Sequence, residues 1–310
     1  MAHPIILRPD VLVLAGGGTV GEAWMHGVLA GIEDGANVDL TRTEAFVGTS
    51  AGSIVAARLA AGRRPPRPQN GYRADVAGAA QDDGRDDGSP LRGVIRGAAR
   101  IGFAAGAPLA GVALAAGAPA INVARAAVLG RAAAHGRPLV DLRQRVARWD
   151  ARFDGRLRIC AVDRRNGRRV IFGAPGAPPA AVADAVCASC AIPWVFAPVR
   201  IGDREYVDGG AWSITNLDAA RAGRGTQVLC LDPAAGLGGE DRRMGALRGV
   251  FRAASALELQ ALRRRGAQVS HVWPDAAASV AMGPNLMAAG RVAAALGAGY
   301  RQGLALARPG

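Results

Sequence analysis

The sequence predicts an α/β fold with parallel strands, and two observations carry that expectation. At residues 11–21, VLVLAGGGTVG runs a short apolar segment through three glycines into the helical pattern GEAWMHGVLAGIEDG. A second apolar segment, EAFVG, then turns through small residues into SAGSIVAARLAAG. Strand, glycine turn and helix twice in succession is the signature of parallel strands joined by crossover helices.

The elements follow in order. In the first helix Trp24, Val28 and Ile32 fall on one side, and Gly35 is the expected stop. Residues 63–90 hold prolines, glycines and charges with almost no large apolar side chain, the composition of a connection without a core. Residues 91–135 are rich in alanine and glycine and helical in tendency. Within them the 24 residues from 101 to 124 carry no charge, a length that would reach across a bilayer. Pro108, Pro119 and four glycines interrupt that stretch, and alanine and glycine contribute little transfer energy. Packed helices, or a lid lying on a surface, are therefore expected in place of a span.

Beyond residue 150 the strand pattern resumes. RLRICAV and RRVIFG flank Asn166-Gly167 and predict a hairpin with a two-residue turn. PAAVADAVCASCAIP reads as a helix, VRIGDREYVDGG as a strand pair and TQVLCLD as a buried strand. A basic helix over 241–266, a strand in AQVSHVWP and a closing helix over 285–308 complete the prediction.

The 310 residues are half apolar, ample for a large core. The formal charge of +13 is carried by arginine alone, since no lysine occurs. Few aromatics and no recognition motif argue against nucleic acid, so an anionic membrane surface, touched peripherally, is the partner this charge suits best. The N-terminus lacks the basic start and apolar run of a secretory signal, and a cytoplasmic chain is the expectation. Four cysteines, at 160, 187, 190 and 230, suit reduced thiols. Cys187 and Cys190 form a CxxC with no second ligand pair spaced for metal, so core packing is expected of them.

Three short motifs carry the chemistry. GGGTVG satisfies the spacing of a dinucleotide loop between strand and helix. That reading also wants an acidic residue ending the next strand; Glu33, Asp34 and Asp39 do not end one. GTSAG places Ser50 between glycines on a strand-to-helix turn, the composition of a nucleophile elbow at the positive end of a helix. YVDGG ends a strand with Asp208 before two glycines, so the carboxylate can approach another backbone closely.

In this order the motifs resemble those of the patatin-like phospholipase family. GGGTVG is similar to its oxyanion loop, GTSAG to its nucleophile motif and YVDGG to its aspartate motif. ASCAIPWVFAPV at 188–199 resembles the segment before the aspartate, and GPNLM at 283–287 resembles bacterial members. The resemblance implies one domain with a three-layer α/β fold and a central mostly parallel sheet flanked by helices; the position of residues 63–135 after the nucleophile helix, and their apolar middle, predict a loop and helical cap over the acyl groove. The resemblance implies hydrolysis of acyl esters of phospholipids or related lipids by Ser50 and Asp208, without metal or cofactor. The oxyanion would be bound by Gly16, Gly17, Gly18 and Thr19, whose missing or small side chains let backbone N–H groups come close. Two positions depart from the family pattern. Val20 stands where arginine or lysine is usual, and Asp218 where proline is common; the second departure is expected to affect only a turn.

Histidine separates the mechanisms. Ser50, Asp208 and His271 would reproduce the order of a triad hydrolase, whereas in the dyad His271 is a strand residue and His26 a packed helix residue. His3 and His135 complete the set. A nucleotide-dependent enzyme, a triad esterase and a lipid-binding protein of weak activity remain the alternatives.

Overall fold

The computed structural model describes residues 8–70, 118–131, 136–235 and 255–308. Its strands are β1 (Val11–Leu14), β2 (Ala45–Thr49), β3 (Leu157–Asp163), β4 (Arg169–Phe172), β5 (Val199–Ile201), β6 (Arg204–Asp208), β7 (Gln227–Leu231) and β8 (Gln268–Val272). Its longer helices are α1 (Gly18–Ala36), α2 (Ala51–Ala60), α3 (Ala118–Arg131), α4 (Val140–Ala147) and α5 (Val182–Cys190). They continue with α6 over 255–264, then α7 (Ala276–Met282) and α8 (Val292–Ala307).

The strands form one sheet in the order β5-β6-β3-β2-β1-β7-β8, with β4 also on β3. β3, β2, β1, β7 and β8 run parallel, and the hairpin strands β4, β5 and β6 are antiparallel to their neighbours. Both faces are covered, so side chains alternate between two cores. Leu12, Leu14, Phe46, Ile159, Leu229 and Leu231 point into the larger one with α1, α2, α5 and α8. Val11, Val13, Val47, Cys160, Val228 and Cys230 point into the smaller one with Leu262 of α6. This double burial is why the strands read as unbroken apolar runs. The mixed, mostly parallel sheet between helical layers is the predicted α/β class.

Several local expectations change. The hairpin of β3 and β4 closes through a four-residue loop, not two: Asp163 N–H donates to Arg168 O at 2.9 Å and Gly167 N–H to Asp163 O at 2.8 Å. The Asp163 carboxylate accepts from the amides of Arg165 and Asn166, which stabilises the wider turn. α1 does not stop at Gly35; it ends at Ala36 with Asn37 in the left-handed region at φ 49°. Of the closing segment only Val292–Ala307 is α-helical, entered through a 3-10 turn at Ala289–Arg291. Residues 283–291 loop back because Gly283 takes φ +66° and Leu286 O is committed to the start of α1, where it accepts from Val20 N–H at 2.9 Å. Of the proposed cap, residues 71–117 and 132–135 lie outside the described residues, as do His3, His135 and the 241–254 part of the expected basic helix. Among the described residues, no helix is long and apolar enough to cross a membrane.

α1 and α8 touch backbone to backbone. Gly27 and Gly31 of α1 face the α8 carbonyls of Leu296 and Tyr300, and Gly303 of α8 faces Val28 O; a Cβ at any of them would overlap those atoms. Trp24 Nε1 donates to Gln302 Oε1 at 2.9 Å across the same seam. Helix propensity alone would make Gly→Ala favourable by about 1 kcal/mol. Gly303→Ala is nevertheless expected to lower stability by about 1–3 kcal/mol through overpacking. Gly297→Ala on the same helix, whose Cβ would meet only Arg301 Nη1 at 3.7 Å, should be neutral or stabilising; urea unfolding of the two variants checks the contrast.

Candidate active site

The site begins at a meeting of two strands. Residues Phe46 to Thr49 of β2 pair with Leu157 to Cys160 of β3, and Tyr206 to Asp208 of β6 pair with Asp163 to Ala161. Because β4 occupies the other edge at Ile159 to Val162, β2 and β6 share one edge of β3 and meet there C-terminus to C-terminus. Thr49 is opposite Cys160 and Asp208 opposite Ala161. The residue after Thr49 is Ser50, so the sheet delivers Ser50 and Asp208 to one point.

At that point Ser50 adopts φ 51° and ψ −126°, a strained conformation for a residue with a side chain. It is over-determined by its neighbours. Ser50 N–H donates to Ser189 Oγ at 2.8 Å, and Ser189 in turn donates to Cys160 O at 2.6 Å. Ser50 O accepts from Ser53 N–H at 2.8 Å and from Ser53 Oγ at 2.6 Å. Flanking glycines are required by contact: a Cβ at Gly48 would press on Ser53 Cα, and one at Gly52 would overlap Leu14 O.

Asp208 is 5 % exposed. Its Oδ1 accepts from Gly210 N–H at 2.7 Å, while Oδ2 is buried and has no hydrogen bond among the described residues. Burial pushes the carboxyl up to about 7; the Gly210 amide and the nearby Ser50 hydroxyl pull the other way. The glycines of YVDGG thus have distinct tasks: Gly209 lets the backbone pass over Cys160 O, and Gly210 supplies the amide.

The glycine loop lies beside this pair by register. Leu14 pairs with Gly48, so Gly16 falls opposite Ser50, and a Cβ on Gly16 would stand 3.5 Å from Ser50 Cβ. Gly16 N–H is spent on Ile214 O at 3.0 Å, and Val20 N–H on Leu286 O at 2.9 Å. Gly16 therefore shapes the site without offering its amide. Among the described residues no hydrogen bond takes the amides of Gly17, Gly18 or Thr19, which begin α1 at the positive end of its dipole. Gly18, at φ +59°, packs against Leu286 O and Met287, Gly17 against Pro233, and the Thr19 hydroxyl donates to Leu286 O at 3.1 Å.

Other sequence-derived candidates lie elsewhere. β1 and β7 separate β8 from β2, so His271 stands about 14 Å away by strand spacing. It faces Asp232 Oδ2 at 3.3 Å and Trp273 edge-on. His26 is buried in α1 with Glu22 at 4.0 Å, and burial first, then Arg58 and Arg145, holds its pKa well below the usual value. The four cysteines are buried free thiols; burial raises Cys187 to about 12. Val20 is fully buried in the larger core.

Some site residues escaped sequence reasoning. Ser189 lay inside the quoted ASCAIP segment, but its task needs Cys160 O, freed where β2 gives way to β6. Asn216, at φ 46°, donates to Thr49 Oγ1 at 3.1 Å and accepts from Arg169 Nη1 at 3.0 Å. Asp218 holds Arg169 bidentately at 2.5 and 2.7 Å, so this departure does more than shape a turn.

The family model for patatin-like phospholipases matches residues 12–221. Among solved structures the chain is similar to that of VipD from Legionella pneumophila, at 15 % identity and TM-score 0.40, covering 97 % of this chain and 67 % of that one. No curated protein matches the sequence.

A buried carboxyl whose pKa is higher folded than unfolded binds more protons in the native state between the two values. Its contribution to stability therefore falls as pH rises from about 4, the ordinary carboxyl value, to about 7, and stays low above. Asp208→Asn should be more stable than wild type by a few kcal/mol at pH 8.5 and nearly equal to it at pH 4.5, as denaturant melts at the two pH values would reveal.

Proposed function

Because this chain belongs to the patatin-like phospholipase family, we propose that it is a serine hydrolase cleaving carboxylic esters of phospholipids or related acyl lipids. Ser50 is the nucleophile, Asp208 its general base, and the amides of Gly17, Gly18 and Thr19 the oxyanion donors. The observation that carries this reading is the junction of β2 and β6, where a strained serine meets a buried carboxylate with one oxygen free.

In the first step Asp208 Oδ2 takes the Ser50 proton as Oγ attacks the ester carbonyl. An ordinary carboxylate is a feeble base for a hydroxyl. A pKa of about 7 makes it about a thousandfold more basic than a free aspartate, at the cost of keeping a carboxylate in an apolar junction. The carbonyl oxygen becomes negative next to the start of α1, where each amide donor contributes about 3 kcal/mol. The tetrahedral intermediate collapses to an acyl-Ser50 ester, and the proton on Asp208 passes to the departing alcohol. Water then attacks the acyl-enzyme with its proton going to Asp208, and the fatty acid leaves with the serine regenerated. Lipid substrates are presented at surfaces, and the arginine excess supports peripheral contact with an anionic one from the cytoplasmic side.

A fluorophosphonate probe is expected to label the wild type and not Ser50→Ala, which separates a hydrolase from a lipid-binding protein. With a soluble ester, kcat/KM should rise tenfold per pH unit on the acid side and level off above about 7, the pKa of Asp208. Asp208→Asn should lose at least about a thousandfold, whereas His271→Ala should retain most activity. A dead His271→Ala with a working Asp208→Asn would overturn the dyad.

A further inference from the structure

A cleft of about 420 Å³ opens on the α6 side of the sheet, away from Ser50. Arg158 of β3, Arg221 and Arg265 all line it. Arg158 is 7 % exposed. Its Nη1 donates to Ala219 O at 3.0 Å, and its Nε is buried with no hydrogen-bond partner among the described residues. A buried guanidinium normally finds a carboxylate, because an uncompensated charge in an apolar surround is costly. Among the described residues no carboxylate pairs with Arg158, Arg221 or Arg265. The acid lining the cleft, Asp218, is already held by both Nη atoms of Arg169. Burial and the neighbouring Arg221 both disfavour the charged form of Arg158, so the arrangement stores repulsion that an anion would relieve.

We propose that this cleft is an anion site for a phosphoryl group, formed by Arg158, Arg221 and Arg265. Three guanidinium groups exceed what one carboxylate would neutralise, and their planar forks suit the several oxygens of a phosphate. Ile171, Ala174 and Ala222 give the rest of the cleft an apolar lining, which fits a phosphate ester with an organic body. The ligand is either a soluble phosphate monoester or the headgroup of a phosphate-bearing lipid. The site is independent of the hydrolase reading, since it lies on the other face of the sheet from α1 and α2.

The test uses the full chain at constant ionic strength. Inorganic phosphate and glycerol 3-phosphate are expected to raise the melting temperature saturably, where acetate and chloride do not. Arg221 and Arg265 are exposed, so the double variant Arg221→Gln/Arg265→Gln should fold normally and bind phosphate at least about tenfold more weakly. Arg158→Gln, if folded, should lose the response. A saturable shift with glycerol 3-phosphate assigns the site to a soluble ester. Arginine-dependent flotation with phosphatidic acid vesicles, but not phosphatidylcholine vesicles, without such a shift assigns it to a headgroup. A shift that matches chloride together with no arginine-dependent flotation, or phosphate binding unchanged in the double variant, overturns the proposal.

Discussion

Two strands compete for one edge of β3, and the site depends on how that competition ends. β2 takes the first part of the edge and β6, running the other way, takes the last. Neither can continue past the other, so both chains must leave the sheet at the same place. β2 leaves through Ser50 into α2, and β6 through Asp208 into a tight turn. The break also frees Cys160 O, which Ser189 bridges to Ser50 N–H. Since both sheet faces are covered, the junction is buried. Burial raises the basicity of Asp208, and sheet topology thereby sets proton affinity.

Hydrogen bonds and ion pairs around this junction hold it against its own strain. Asn216 connects Thr49, just before Ser50, to Arg169, and Asp218 fixes Arg169. The guanidinium groups of Arg125 and Arg169 stand 4.3 and 5.3 Å from the Trp212 ring. Glu258 of α6 accepts from Thr215 Oγ1 at 2.7 Å and Leu217 N–H at 2.9 Å, pinning the segment that carries Asn216. Charge-assisted bonds of this kind are worth more than neutral ones, which suits a loop that must keep a non-glycine residue at positive φ.

The strands and their glycine turns were legible because each apolar run is short, buried on both sides and bounded by small residues. Ser50 and Asp208 were legible as motifs, and their adjacency was not, since it arises from residues 158 positions apart in sequence meeting on a third strand. Boundaries failed where long-range contacts overrode local signals. Gly35 looked like a stop but packs against Ala307, and residues 285–288 looked helical but are drawn to the glycine loop. The support by Ser189, Asn216 and Asp218 left no local trace, because each acts on a backbone atom or side chain distant in sequence.

The motifs and the folding unit do not coincide. All three motifs fall within 12–221, yet β1 is flanked by β7, Gly17 rests on Pro233, and α1 is braced along its length by α8 and capped by Leu286. Transplanting the matched segment alone would carry Ser50 and Asp208 without the elements that pack around them. α8 and the loop at Leu286 thus act as the keystone of α1 and of the glycine turn at its start.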